Sequence, residues 1–164
     1  MIINLTPAEL IFAISLAEAI SINKLHIPDK IYDKNQNSFG THYFGLLGEI
    51  AVARILNLKV SDSILALGDG GIDLNYRGQS IQIKTVNSYS YKERFIYFNN
   101  INDFNADWII GCSLINPSTI EIMGFASHGK FIKNMVVKNF GKGDRYSLSE
   151  NQLTSIDKIN EAIP

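Results

Sequence analysis

The sequence predicts a mixed α/β domain, and three observations carry that reading. Residues 7–23 and 41–56 repeat apolar side chains at helical spacing. Residues 79–87 (QSIQIKTVN) alternate polar and apolar with period two. Residues 107–114 form an apolar run that a turn at Asn116-Pro117-Ser118 folds back onto residues 119–125 (TIEIMGF), as a buried strand and its hairpin partner do.

Taken in order, the chain opens with Thr6-Pro7-Ala8-Glu9, a helix start in which Thr6 caps, Pro7 suits the first turn and Glu9 completes a capping box. Leu10, Ile11, Ile14, Ala17 and Ile20 then mark the expected apolar stripe of an amphipathic helix over 7–23. Residues 25–40 lose periodicity and read as a loop, in which His26 has no evident role and Lys30 and Lys34 read as solvated charges. The helix over 41–56 is apolar around much of its circumference and is expected to be largely buried. Gly45 and Gly48 cost it about 1 kcal/mol each in propensity, which points to close approach of another backbone or a ligand. Extended segments are expected at 59–67, 72–76 and 79–87, with turns at Gly68–Gly71 and Arg77-Gly78. Residues 88–106 read as irregular, with a short strand at Phe95–Phe98 and a helical turn near Ile101–Phe104. A helix over 126–138 with Ser127 as a candidate cap, a loop over 139–147 and a short helix over 150–163 complete the chain.

At 164 residues, with 46% hydrophobic and 19% charged residues, the chain suits one packed domain. Its parts are an N-terminal helix and loop (1–40), a core (41–138) and a tail (139–164). A net charge of −1 lacks the overall basic signature of a protein that coats nucleic acid, although an enzyme needs only a local basic patch. The longest apolar run, Trp108 to Ile115, falls far short of the roughly 20 residues of a membrane span. No basic stretch followed by an apolar run opens the chain, so no signal peptide is expected. Cys112 is the single cysteine, which excludes an internal disulfide and a zinc knuckle. These features predict a soluble cytoplasmic protein with no membrane partner.

The chemistry concentrates between residues 49 and 84. If Arg77-Gly78 is a two-residue turn, Tyr76 pairs with Gln79 and Asp73 falls opposite Gln82. Lys84 shares the face of Gln82, while Ile81, Ile83 and Thr85 take the other. A carboxylate, an amide and an ammonium thus gather at one place. Phosphodiester hydrolysis needs charge stabilised on phosphoryl oxygens and a water made nucleophilic, and Mg²⁺ or Mn²⁺ supplies both. Mg²⁺ takes oxygen ligands, one or two of them carboxylates. Asp73 is then the principal ligand, the Gln82 side-chain oxygen and the Ile83 carbonyl are further ones, and Glu49 ligates directly or through water. Lys84 steadies the attacking water or the transition-state charge. Taken singly, the same residues also fit an exposed sheet face on which Asp73 pairs with Lys84.

The order of Glu49 on a helix, Gly68-Asp69-Gly70-Gly71-Ile72-Asp73, and Gln82-Ile83-Lys84 resembles the PD-(D/E)XK nuclease superfamily. The variant with Gln in the second acidic position is similar to type IV restriction endonucleases, and Holliday-junction resolvases share the core. The resemblance spans about residues 41–125. It implies a restriction-endonuclease-like α-β-β-β-α-β core, with a mixed central sheet flanked by helices and an extra N-terminal helix. It also implies Glu49, Asp73, Gln82 and Ile83 at the metal, Lys84 as a catalytic residue, and DNA as the substrate. Two departures stand out: Gln82 removes one negative charge, and residues 88–106 are poor in the helical periodicity the family has there. Asp69 reads as a turn residue rather than a further ligand. For DNA contact the candidates are Arg77, Lys92 and Arg94, interleaved with Tyr89, Tyr91 and Tyr97. The same segment also reads as a solvated charged loop. His42 reads as a core or surface histidine, and His128 has no evident partner. The function expected is a metal-dependent DNA endonuclease. The alternatives are a catalytically weak or inactive DNA-binding or assembly subunit, and a junction resolvase acting as a homodimer.

Overall fold

A computed structural model describes residues 1–24, 38–60, 71–87, 94–139, 141 and 143–163. Among these the chain is mixed α/β. It runs β1 (Ile2–Asn4), α1 (Pro7–Lys24), α2 (Ser38–Ile55), β2 (Leu74–Tyr76), β3 (Gln79–Asn87) and β4 (Phe95–Phe98). It continues with β5 (Trp108–Asn116), β6 (Thr119–Ser127), α3 (His128–Asn134), β7 (Val136–Asn139), β8 (Asp144–Ser149) and α4 (Ile159–Ala162). The expected strand at 59–67 and turn at Gly68–Gly71 fall almost wholly outside the described residues, as do His26, Lys30 and Lys34.

Two sheets stack on each other. The larger has the order β1-β6-β5-β3-β2, and the smaller β4-β8-β7. Among the described strands only β3 and β5 run parallel, pairing Ile81 with Trp108 through Asn87 with Leu114, so the larger sheet is mixed. The chain segment joining β3 to β5 carries β4 and a 3-10 turn at Ile101–Asp103, where the α-β-β-β-α-β order has a helix. That short strand and turn agree with the sequence reading of this segment.

The larger sheet separates two apolar cores. On one face α1 and α2 cover Ile81, Ile83, Ile110, Cys112 and Ile122. On the other face Ile109 and Ala126 pack with Ile96, Phe98, Phe104, Phe131 and Leu148. Thr6 and Glu9 exchange the capping-box bonds expected of them, Glu9 N–H donating to Thr6 Oγ1 and Thr6 N–H to Glu9 Oε2. The buried stripe of α1 differs from expectation. Ala13 and Ala17 are fully buried and Leu16 nearly so, whereas Ile11 and Ile14 face outward. Two alanines on one side let α1 approach α2 closely, and the larger isoleucines take the solvent side.

The C-terminal third departs furthest from the sequence reading. Ser127 caps α3 by accepting from Lys130 N–H, but the helix ends at Asn134 rather than Lys138. Val136–Asn139 is a strand paired with residues 144–147, inside what read as a helix and then a loop. The tail is mostly 3-10 turns, with one short helix at Ile159–Ala162. It is tied to the body: Ile156, Ile159 and Ile163 are buried in the helical core. Gly124, at φ +149, passes so close that an added Cβ would lie 2.4 Å from the Thr154 carbonyl oxygen.

Candidate functional site

The site is built on the β2–β3 hairpin. Arg77 and Gly78 have φ of +53° and +78°, the left-handed pair of a two-residue type I′ turn. That turn sets Tyr76 opposite Gln79 and Leu74 opposite Ile81, the register read from the sequence. Beyond Leu74 the ladder changes character. Asp73 N–H donates to the Ile81 carbonyl at 2.9 Å, and the Asp73 carboxylate itself accepts from Ile83 N–H at 2.5 Å. A charge-assisted bond of this kind holds the carboxylate at a defined place against the middle of β3.

Gln82 follows on the face away from the helices. It is only 4% exposed, and its Oε1 is buried with no donor among the described residues. Leaving a buried acceptor unsatisfied costs about 1–3 kcal/mol, so this oxygen calls for a further donor or a cation beside it. Gly71, at φ +84°, allows the close packing: a Cβ there would lie 3.0 Å from Gln82 Nε2 and 3.2 Å from the Asp103 carbonyl oxygen. The 3-10 turn between β4 and β5 thus borders the amide. No spacing in the sequence links residue 103 to residue 82, because the link passes through the β3–β5 connection.

Lys84 shares the face of Gln82, two residues along β3, and is half-buried. Its Nζ lies 4.8 Å from the centre of the Phe98 ring on β4, which orients the ammonium. Its register partner on β5 is Gly111, so the neighbouring strand places no side chain beside it. This face is therefore not an exposed sheet surface. The β4 layer covers it, and that corrects the simpler alternative.

Glu49 stands half-buried on α2, over the face bearing Ile81 and Ile83. Its carboxylate runs back along the helix, Oε1 being 3.9 Å from a Cβ placed at Gly45. Its neighbour Gly48 lets α2 press onto β3 and β5, since an added Cβ would fall 2.0 Å from Thr85 Oγ1 and 3.4 Å from Cys112 Cβ. Burial pushes the Cys112 thiol far up, and the Glu49 charge adds to that shift, so the thiol stays protonated. A direct hydrogen bond thus joins Asp73 to Ile83, and Gln82 and Lys84 share one face of β3. Glu49 is carried by α2, the helix whose buried residues pack with Ile81 and Ile83.

The donor set suits a hard cation. Among the described residues no three His, Cys, Asp or Glu side chains stand together as a ligand group. What this stretch of the hairpin offers is one carboxylate, one buried amide oxygen and the backbone oxygens of β3, the kind of sparse oxygen set Mg²⁺ completes with water and substrate.

The residues expected to touch DNA are placed differently from one another. Arg77 donates to the Asn160 and Ile163 carbonyls at 3.0 and 2.9 Å, stapling the hairpin to the C-terminal segment. Arg94 is clamped between Glu121 and Glu150, whose hydrogen bonds hold its guanidinium protonated beyond its ordinary range, while Arg94 in turn draws the Glu121 carboxyl below the usual carboxylate range. Its role here is an internal ion triad. Lys92, Tyr89, Tyr91 and Asp69 lie outside the described residues. His42 is half-buried on α2, and His128 rests against the Phe104 ring at 4.6 Å. Asp107 accepts from the Ser80 hydroxyl and N–H, which lowers its carboxyl and ties the start of β5 to β3.

Among the described residues no helix is long and apolar enough to cross a membrane. No family model, no curated protein and no solved structure matches the chain.

Proposed function

We propose that the protein is a divalent-metal-dependent DNA endonuclease of the PD-(D/E)XK type. The observation that carries this reading is the junction of β2 and β3. There a carboxylate fixed on Ile83 N–H adjoins a strand that buries an unpartnered amide oxygen and sets a lysine on the same face. Asp73, Gln82 and the Ile83 carbonyl would hold Mg²⁺ or Mn²⁺, with Glu49 acting directly or through water. The ion, when bound, would lower the pKa of a coordinated water and offset charge on the phosphoryl oxygens. Lys84 supplies a compact cation to the attacking water or to the transition state, held away from bulk solvent by the Phe98 ring. Ile83 N–H orients the Asp73 carboxylate, and the missing side chain of Gly71 leaves room for the Gln82 amide beside its backbone.

Supercoiled-plasmid cleavage with Mg²⁺ or Mn²⁺, with and without chelator, tests the reading. Wild type is expected to nick and Lys84→Ala to lose at least a hundredfold in rate. Equal rates for the two proteins would remove Lys84 from the chemistry.

A second reading, a nuclease fold retained for DNA binding or assembly, is favoured by one observation. Gln82 contributes no charge, so among the described residues of the β2–β3 hairpin Asp73 supplies the anionic group at this place. Calorimetric titration with Mn²⁺ separates the two. Binding abolished by Asp73→Asn supports the enzyme, and no binding supports the subunit.

A further inference from the structure

Lys84 meets a block of three rings. Its Nζ lies 4.8 Å from the centre of Phe98, and that ring is itself held on two sides. Phe104 stacks on it with centres 5.0 Å apart and planes 10° apart, and Phe131 meets it edge-on at 5.4 Å. Phe104 and Phe131 also meet each other edge-on, at 5.3 Å. All three side chains are almost fully buried. Rings packed in stacked and edge-to-face contact have little freedom to move separately.

Phe104 has a second link to the site. Its N–H closes the 3-10 turn at Ile101–Asp103 on the Ile101 carbonyl, and the Asn100 side chain caps that turn by accepting from Asn102 N–H at 3.0 Å. Asp103, the residue before it, approaches Gly71 from one side while the Gln82 amide approaches from the other, since a Cβ at Gly71 would meet both. One short capped turn thus reaches towards both polar groups of β3, Gln82 by way of Gly71 and Lys84 by way of Phe98. The ammonium itself is not neutralised: among the described residues no carboxylate forms an ion pair with Lys84.

From this arrangement we infer that Phe98 and Phe104 are positioning residues for the reaction: the face of Phe98 places the Lys84 ammonium, and Phe104 fixes Phe98. The inference rests on the nuclease reading for the reaction it serves. A carboxylate in the place of Phe98 would hold the lysine by cancelling its charge. A ring face attracts the cation through its quadrupole and leaves the net charge to a phosphoryl oxygen. Both rings act through Lys84 and not on the substrate. A long, flexible lysine stem needs such a support, because a displacement of about 1 Å in a reacting group can cost about a hundredfold in rate.

The test uses the full chain with Phe98→Leu, Phe104→Leu, and mono-, di- and trifluorinated phenylalanine at position 98. Fluorine withdraws charge from the ring face while ring size and burial change little, so it separates an electrostatic role from a packing one. The first readout, in chelator, is the side-chain methylene resonance of Lys84 in isotope-labelled protein, identified by its loss in Lys84→Ala. A ring face beside the ammonium moves that resonance upfield. Wild type is expected to show the upfield shift, Phe104→Leu to reduce it and Phe98→Leu to lose it. The second readout is plasmid nicking with Mn²⁺. There kcat should fall stepwise with each fluorine and about tenfold in Phe98→Leu, with KM unchanged. A wild-type Lys84 resonance at the free-peptide position, or a kcat indifferent to fluorine, would overturn the inference. Should the leucine variants not fold, the fluorine series decides alone. A wild type that fails to nick would sink the nuclease reading, and the resonance then decides the placement of Lys84 by itself.

Discussion

Adding a single methyl group at Gly48 should destabilise the protein, although alanine is the better helix former. The geometry sets the size of the effect. A Cβ at Gly48 would fall 2.0 Å from Thr85 Oγ1, 3.3 Å from Thr85 Cβ and 3.4 Å from Cys112 Cβ. The hydroxyl can swing away by rotation about χ1. The two Cβ atoms cannot yield separately, because Thr85 and Cys112 are register partners on the parallel pair β3–β5. Overpacking of this kind costs about 1–3 kcal/mol, against a propensity gain of about 1 kcal/mol. A net loss of up to about 2 kcal/mol is expected, or a fall in Tm of up to about 6 °C for a chain of this length. Urea unfolding of Gly48→Ala, Thr85→Ala and the double variant measures it. In the Thr85→Ala background the Gly48 substitution should be close to neutral, giving a coupling near 1 kcal/mol. A stabilising Gly48→Ala in the wild-type background would refute the close seating of α2 on β3, and with it the placement of Glu49.

Three further outcomes follow from the same geometry. Gly71→Ala combines a left-handed backbone with contacts at 3.0 and 3.2 Å, so it should cost about 1–2 kcal/mol in urea unfolding and weaken Mn²⁺ binding by displacing the Gln82 amide. Gln82→Glu restores a charge to the ligand set and should tighten Mn²⁺ binding at least tenfold by calorimetry, while lowering metal-free stability because a second carboxylate is then buried beside Asp73. The Arg94–Glu121 pair makes stability depend on acid. Glu121 is depressed when folded, so its contribution is present above its unfolded value of about 4.3 and is lost as pH falls through the lower folded value. Unfolding free energies of wild type and Arg94→Ala should therefore differ at pH 7 and draw together as pH falls, and a difference unchanged by pH would contradict this.

Where local signals agreed with tertiary packing, the elements could be read in advance. Thr6 and Glu9 cap α1 as their spacing requires, and QSIQIKTVN is a strand over the residues its alternation marks. Arg77-Gly78 makes the two-residue turn from which the register was counted. Reading failed where short elements depend on remote partners. Phe131, Ile132, Met135 and Val136 continue a helical period past Asn134, yet Val136-Val137-Lys138 pairs with residues 145–147. Tyr146 and Leu148 already alternated inward, a period-two signal overlooked among the polar and glycine neighbours of that segment. β1 has three residues and exists because β6 offers an edge. Of the site, the shared face of Gln82 and Lys84 was legible because strand alternation is local. The covering β4 layer, Gly71 and the Asp103 carbonyl were not, because each arrives through a connection of many residues. Arg94 read as a DNA contact because charge alone does not reveal Glu121 and Glu150 folding back onto it.

The most direct trial of the central claim is a Mn²⁺ titration by calorimetry on wild type, Asp73→Asn and Lys84→Ala, paired with plasmid cleavage by the same samples. The account predicts that Asp73→Asn loses both binding and cleavage, and that Lys84→Ala binds the ion yet fails to cut. Binding that survives the loss of the Asp73 charge, or cutting that survives the loss of the Lys84 ammonium, would contradict it.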